Sequence, residues 1–522
     1  MGSLRIRNST INLLSGIGSQ VLVQILAFIC RTYFIRFLGT SYLGVNGLFG
    51  NILGFLNMAD LGLGTAITFS LYKALADKDQ VKIQALVKFY LTVYRIVAAT
   101  VLLIGLSLIP FMNLIIKDMP DIPNLMWIYT LMVVSKSLGY LFLYKKTVLS
   151  ANQQRYILNI YGAIFSILQN ILQIVILFVS ANFILYLLTQ MLCDLAQNFL
   201  LVHKSNKQFP FLKGRIVQQL SKPEKLKIWK NSYVLLQHQI GGFILNSTDN
   251  LVIASVVSNG ISRIGIYSNY VMILNMIQMF TNQVFAAIGA SVGNLASLES
   301  NERSYEVFKM ILFASTWIFG FCAVCLWILY NPFITAWIGH DFTLSPLIVS
   351  VIVLNFYLVG VRNPVLSFTN AYGIYWYTRW KPLLECSINL GLSIFMAKRF
   401  GMIGVFLGTT ISMLASSIWM EPWALFKHSF RLSVYRYFEQ LGLYSIAIGI
   451  IGCFLSWICK HIPTGTIGWV IVQAILCGVI FNISFVILFH RSNEFKELVK
   501  IGKLLVRPVF LRIRAGMLHT NM

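Results

Sequence analysis

About fourteen long apolar stretches run through the chain, and a few isolated charges lie inside them. Lys136 lies within LMWIYTLMVVSKSLGYLFLY, Asp194 within FILYLLTQMLCDLAQNFLLV and Glu385 within PLLECSINLGLSIFM. A segment of about 20 apolar residues is long enough to cross a bilayer. Because a charge near the middle of such a span costs at least about 2.5–3.5 kcal/mol, these side chains should face a water-filled cavity or one another. The sequence therefore predicts an all-α polytopic membrane protein with a polar interior, and so a transporter.

Composition excludes several other classes of protein. Only 11% of the 522 residues are charged and 57% are hydrophobic, which a soluble protein of this length would not show. The spans use up the length, so there is no room for a separate catalytic domain. The net charge of +24 does not indicate nucleic-acid binding, because the basic residues lie mostly in alternate loops, as expected of cytoplasmic segments. Both termini should therefore be cytoplasmic, and the basic loops should also attract anionic membrane lipid.

The apolar pattern gives a provisional organisation of the chain. The predicted domains are an N-lobe of six helices (1–203), a basic cytoplasmic linker (204–229), a C-lobe of six helices (230–430), a further helix pair (431–490) and a basic cytoplasmic tail (491–522). The fourteen predicted spans lie near 11–38, 43–72, 84–115, 122–146, 155–179, 181–203, 230–257, 263–296, 307–335, 344–372, 376–397, 401–426, 437–459 and 465–490.

A weak internal repeat supports the two lobes. The segment SYLGVNGLFGNILGFLNM (41–58) aligns without a gap to SRIGIYSNYVMILNMIQM (262–279), with five identities that include Gly44 and Gly265. Each segment opens the second span of its half. Repeats of this kind are a common basis of transporter folds.

Several patterns, taken in order, resemble a known family. The run IRFLGTSYLGVNGLFGNILGFLNMADLGLGTAI (35–67) resembles the start of the polysaccharide-export family, and TDNLVIASVVSNGISRIGIYS (248–268) resembles its seventh span. Within 362–423, the motifs RNP, AYG, PLLECSIN and GVFLGTTIS follow in the order of the family's second half. The resemblance is to the Wzx-type flippases, in the superfamily that also holds multidrug exporters and the lipid II flippase.

The resemblance implies a fold and a substrate. Two six-helix lobes surround a central cavity, and the extra helix pair is similar to the pair that makes a lipid-tail groove in the lipid II flippase. The substrate would be an undecaprenyl-pyrophosphate-linked oligosaccharide, moved from the inner to the outer leaflet of the bacterial cytoplasmic membrane. The expected partners are this polyprenyl-pyrophosphate-linked glycan, membrane lipid and glycan-assembly machinery. No cofactor is expected, beyond H⁺ or Na⁺ as a coupling ion.

Such a substrate requires cations inside the membrane, because its pyrophosphate is negatively charged. The candidates that would bind it are Arg31, Arg36, Lys136 and Arg362. Arg36 could instead snorkel to the outer interface. Arg362, next to Asn363-Pro364, could instead serve a broken helix.

The acidic candidates have two alternative roles. They are Asp60, Asp194, Asp249 and Glu385. They could neutralise the cations, with Lys136–Asp194 and Arg362–Glu385 as the natural pairs by depth, or they could carry coupling H⁺ or Na⁺.

Other functions compete with a flippase. A multidrug/cation antiporter of the same superfamily is the nearest, although it should need fewer buried cations. An integral-membrane glycan polymerase or glycosyltransferase would usually need a large extramembrane loop or an acidic site, and neither is evident. The sequence contains no GxxxxGK[ST] loop, which disfavours direct use of ATP.

Overall fold

The computed structural model of the chain describes residues 2–56, 63–213 and 219–500. Within these ranges the regular structure is helical and contains no strand, which confirms the predicted all-α class. The α-helices are α1 (Gly2–Leu56), α2 (Leu63–Ala76), α3 (Gln80–Ser107), α4 (Met112–Ile115), α5 (Leu125–Tyr140), α6 (Leu143–Ala151), α7 (Arg155–Val179), α8 (Phe183–Gln208), α9 (Lys222–Val256), α10 (Gly260–Leu298), α11 (Asn301–Ile338), α12 (Pro346–Val361), α13 (Asn363–Tyr372), α14 (Lys381–Phe400), α15 (Met402–Ala415), α16 (Ser417–Leu425), α17 (Tyr435–Cys459) and α18 (Ile467–Phe489).

Every predicted span contains helix, but several spans are broken. α1 has a break at Gly39, where φ is 84°, and so covers the first and much of the second predicted span. α5 and α6 together make a span bent by 46°. In the described part of the chain, nine helices are long and apolar enough to cross a membrane, or ten if that bent pair counts as one span. The chain is thus a multi-pass membrane protein, and the number fourteen stays a prediction.

The helices divide into two compact units. The first unit comprises Met1–Asn269 with the short piece Ala397–Gly401, and the second comprises Tyr270–Met396 and Met402–Met522. The predicted lobe boundary at 204–229 stays a prediction. In that region α8 continues to Gln208. The N-cap residue of α9 is Ser221, whose side chain forms a reciprocal capping box with Glu224.

An aromatic core holds the first unit together. α1 packs along α7, α7 on α8, and α3 on α5. Tyr90 and Tyr94 of α3 stack with ring centroids 5.4 Å apart, and Tyr94 stacks on Tyr140 of α5 at 6.3 Å. All three tyrosines are buried. This core joins α3 to α5, the helix that carries Lys136 of the cavity described below.

Two glycines of the sequence repeat meet inside the first unit. A Cβ on Gly44 would lie 1.8 Å from the carbonyl oxygen of Ile261, and a Cβ on Gly265 would lie 2.1 Å from that of Thr40. The hydroxyls of Thr40 and Ser262 lie 3.1 Å apart. The contact is reciprocal, since each glycine meets the backbone of the residue four positions before the other glycine. Such a self-complementary contact is what a local twofold relation produces, and it supports the repeat.

Packing in the second unit centres on α11. α11 packs against α12, α17 and α18, and α12 packs against α15. Phe313 of α11 contacts Tyr444 of α17 and Phe485 of α18, with ring centroids 5.4 and 5.5 Å apart. The predicted extra pair, α17 and α18, is therefore joined to the second unit by aromatic side chains.

The close backbone contacts at Gly44 and Gly265 predict that substitutions there will lower stability much more than a substitution at a glycine in open space. Gly44→Val and Gly265→Val should each destabilise the protein by about 1–3 kcal/mol or more, because the added atoms overlap backbone that has no room to move. Gly442→Ala, on α17, should be neutral or stabilising, because a Cβ there meets nothing within 4 Å. Thermal unfolding of the three purified variants in one detergent measures this. Equal thermal unfolding midpoints for all three variants would contradict the close contact at Gly44 and Gly265.

The predicted orientation can be tested at two exposed positions. Lys204 lies in the last turns of α8, and Ser258 lies between α9 and α10. On a background without native cysteines, a membrane-impermeant maleimide added to whole cells should label Ser258→Cys and not Lys204→Cys. The reverse labelling would invert the topology.

Candidate functional site

The first unit contains a cavity of about 590 Å³ that is lined by both apolar and polar side chains. α5, α6 and α8 provide most of its wall, and α1 provides Gly50 and Leu53. The wall of this cavity is formed by Gly50, Leu53, Leu131, Met132, Ser135, Lys136, Gly139, Tyr140, Leu143, Lys146, Leu187, Gln190, Met191, Asp194, Leu195, Gln197 and Asn198.

Three charged side chains line the cavity. Lys136 lies on α5, Lys146 on α6 and Asp194 on α8. Lys136 and Asp194 are exposed and Lys146 is half-buried. Both lysines attract the Asp194 carboxylate electrostatically, Lys146 more strongly. Among the described residues, however, no ion pair of 4.0 Å or less includes any of the three, so the predicted Lys136–Asp194 pair is not in contact.

The local backbone explains how these charges share one cavity. Lys136 and Lys146 are ten residues apart and would be about 15 Å apart along a straight helix. The 46° bend between α5 and α6 turns both toward the same space. On α8, Gln190, Asp194 and Gln197 are spaced by four and three residues, which places them on one helix face. The cavity therefore has two cations, one carboxylate and a row of amides.

The second unit contains a buried network of four charges. Arg362 donates two hydrogen bonds to the Glu421 carboxylate, at 3.1 Å from Nε and 2.8 Å from Nη2. Lys381 Nζ lies 2.7 Å from Glu421 Oε1 and 3.0 Å from Glu385 Oε2. Arg362 is also 4.0 Å from Glu385. The two carboxylates are 0% and 4% exposed and the two cations 13% and 12%, so the network is neutral and nearly closed to solvent.

Breaks in two helices bring this network together. α12 ends at Val361, and Pro364 lies at the start of α13, so Arg362 occupies the junction. A second break, near Ser416, separates α15 from α16, which carries Glu421. Lys381 and Glu385 are one turn apart on α14. The network therefore ties α14 and α16 to the break between α12 and α13.

The other predicted residues lie elsewhere. Arg31 donates to Asn269 Oδ1 at 3.1 Å and to the Ser268 hydroxyl, so its guanidinium is held within the first unit. Arg36 is exposed on α1. Asp249 is half-exposed and interacts electrostatically with Tyr267. Asp60 lies outside the described residues.

Three functional candidates were not predicted from the sequence. Lys146 and Lys381 each lie beside a predicted loop, so in the sequence they resemble the basic residues that are common in cytoplasmic loops. The spacing of Lys381 and Glu385 by four residues is a usable signal for their pairing. Glu421 is the third. It is the acid within the apolar run SIWMEPW, and this position indicates a functional role as strongly as that of Glu385.

Solved structures with a similar fold exist at low sequence identity. The chain matches the lipid II flippase MurJ in an inward closed conformation with a TM-score of 0.67 and 13% identity, over 92% of this chain and 99% of that one. It matches a point mutant of the Vibrio cholerae MATE transporter VcmN with a TM-score of 0.53 and 14% identity, over 82% and 98%. It also matches a multidrug resistance MATE family transporter of the MOP superfamily with a TM-score of 0.54 and 14% identity, over 77% and 94%.

The chain has the fold that these MurJ and MATE structures share. No family model matches the chain, and no curated protein sequence matches it. The narrower resemblance to Wzx-type flippases stays a prediction.

The buried network predicts a large effect of removing one carboxylate. Glu421→Gln should destabilise the protein by about 3–5 kcal/mol, because two cations are then left with one shared carboxylate out of water. Glu421→Gln combined with Lys381→Met should recover much of this loss. The measurement is thermal unfolding of purified protein.

A matched control lies in the same unit. Glu306 pairs with Arg303 at 2.7 Å, but both side chains are more than half exposed. Glu306→Gln should leave the unfolding midpoint unchanged, since exposed pairs contribute little. A Glu421→Gln midpoint equal to that of Glu306→Gln would show that the network is not structural.

Proposed function

We propose that the chain is a flippase for an undecaprenyl-pyrophosphate-linked oligosaccharide, a precursor of capsule, O-antigen, teichoic acid or a related cell-surface polymer. It would work in the bacterial cytoplasmic membrane with both termini inside. The observation that carries the proposal is the cavity of the first unit, where two lysines outnumber one carboxylate and none of the three has an ion-pair partner within 4.0 Å among the described residues. A fold shared with a lipid II flippase supports it.

The cavity offers the contacts that such a substrate requires. Lys136 and Lys146 are compact positive charges that can bind the pyrophosphate oxygens. Gln190, Gln197 and Asn198 carry amide groups that can exchange hydrogen bonds with sugar hydroxyls. The bound anion would also relieve the cost of holding cations without a close counter-charge at membrane depth.

The remaining predicted cations suit this role less well. The Arg362 guanidinium already binds Glu421, and Arg31 already binds Ser268 and Asn269. Both would lose charge-assisted hydrogen bonds if they turned to a substrate. We therefore assign them to holding the helices in position, and Lys136 and Lys146 to binding.

Asp194 favours a second candidate function. Its exposed carboxylate in the cavity could bind H⁺, Na⁺ or a cationic drug, and the fold is also that of multidrug transporters. In a flippase, the same carboxylate is the candidate coupling site. The balance of two cations to one acid favours the anionic substrate.

The test is flipping of a fluorescent polyprenyl-pyrophosphate-linked oligosaccharide by purified protein in liposomes without nucleotide. Lys136→Ala and Lys146→Ala should each lower the rate by about tenfold or more, since a charge-assisted contact contributes about 1.5–3 kcal/mol. Lys88→Ala removes an exposed lysine on α3 and should keep the wild-type rate.

A double variant separates substrate binding from architecture. If Lys136 only balances Asp194, then Lys136→Ala combined with Asp194→Asn should restore flipping, because neither charge is left alone. The proposal expects no restoration. Full activity of both single lysine variants, or a strict requirement for ATP, would contradict it.

A further inference from the structure

A group of aromatic and basic side chains lies where several helix ends of the second unit meet. It forms where the 3₁₀ turn Ile374–Thr378 and the start of α14 meet the end of α16 and the turn Phe426–Phe430. We call it the aromatic–cation surface. It consists of Trp376, Tyr377, Arg379, Trp380, Trp423, Lys427, His428 and Arg431.

Stacking contacts order this surface. The Arg379 guanidinium lies 3.7 Å from the ring centroid of Trp376, and the Lys427 ammonium lies 4.7 Å from that of Trp423. The rings of Tyr377 and His428 stack with centroids 3.6 Å apart. Cations held over ring faces are positioned more firmly than free surface lysines.

An open cavity of about 450 Å³ lies within the surface. Its wall is formed by Trp423, Lys427 and Arg431 together with Leu432, Ser433 and Val434. Phe426–Phe430 is a π-helical turn that ends at Arg431, whose φ is 56°. π-helical turns are rare and recur at functional sites. This turn brings Lys427 and Arg431 into the wall of one cavity.

The positive charge of the surface has no close acidic partner in the part of the chain that the structure describes. There, no ion pair of 4.0 Å or less includes Arg379, Lys427 or Arg431. The acids in the sequence between positions 372 and 440 are Glu385, Glu421 and Glu439. The first two are held in the buried network, and among the described residues Glu439 forms no ion pair of 4.0 Å or less with these cations. An anion outside the protein is therefore the natural counter-charge.

We propose that this cavity binds the phosphodiester headgroup of an anionic phospholipid. The surface lies at helix ends, the level at which exposed Trp and Tyr meet lipid headgroups. Trp419 and Trp423 are exposed one turn apart on α16 and lead from the cavity along the helix. They offer an apolar wall for acyl chains, which a free phosphate would not need. The site is separate from the cavity of the first unit and does not depend on the proposed function.

The experiment measures retention of phosphatidylglycerol by the purified full chain in native mass spectrometry, with phosphatidylcholine as the neutral comparison. Lys427→Gln combined with Arg431→Gln should lower phosphatidylglycerol affinity by about tenfold or more, since the phosphodiester loses the charge-assisted contacts that this cavity provides. Lys204→Gln combined with Lys207→Gln removes two exposed cations from the end of α8 and should change it less than twofold. Lys427→Arg with Arg431→Lys keeps the charge and should keep most of the binding.

The outcomes are distinct. Loss of phosphatidylglycerol retention in the Lys427→Gln/Arg431→Gln variant alone supports the site. Equal loss in the Lys204/Lys207 variant, or equal retention of phosphatidylcholine by the wild type, overturns it. Displacement by inorganic phosphate at the same concentration as the lipid would assign the cavity to free phosphate, and preferential retention of a polyprenyl diphosphate would assign it to a substrate lipid. Either result overturns the phospholipid assignment.

Discussion

The energy of a charge in hydrocarbon is the constraint on which this structure depends. A charged side chain at membrane depth needs water, a partner or a bound ion. The second unit meets this need by pairing, because Arg362, Lys381, Glu385 and Glu421 neutralise one another with little exposure. The first unit meets it with an open cavity, where Lys136 is exposed and forms no ion pair with a described residue. The same constraint therefore accounts for a structural ion-pair network in the second unit and a candidate binding site in the first.

Broken helices make both arrangements possible. A straight helix presents residues to one face only every three or four positions, so distant charges cannot meet on it. The 46° bend between α5 and α6 directs Lys136 and Lys146 into one cavity. The break before Pro364 leaves Arg362 at a junction where it reaches Glu421 on another helix. The backbone polar groups freed at such breaks are tolerated in a membrane because protein or water surrounds them.

The fold class and the location of the charges could be predicted from the sequence, since both follow from hydropathy and the cost of burial. The length of the apolar stretches predicted the membrane helices, and the position of Lys136, Arg362 and Glu385 deep within such stretches predicted them as functional candidates. Partner choice could not be predicted, because it depends on which helix ends meet in space. Lys381 resembles a loop lysine in the sequence but begins α14, and Glu421 becomes a partner only through the break before α16. The number of spans could not be predicted either, because hydropathy does not show a kink such as the one at Gly39 of α1.

We propose that the excess positive charge of the first unit's cavity selects an anionic, lipid-linked substrate. The most direct measurement is competition for binding to the purified protein between an undecaprenyl-diphosphate-linked sugar and a lipophilic cation of similar size, for the wild type and for Lys136→Ala combined with Lys146→Ala. The wild type should prefer the diphosphate lipid, and the double variant should lose this preference. A wild type that prefers the cation, with a preference that strengthens when the lysines are removed, would overturn the proposed flippase function and favour a multidrug transporter.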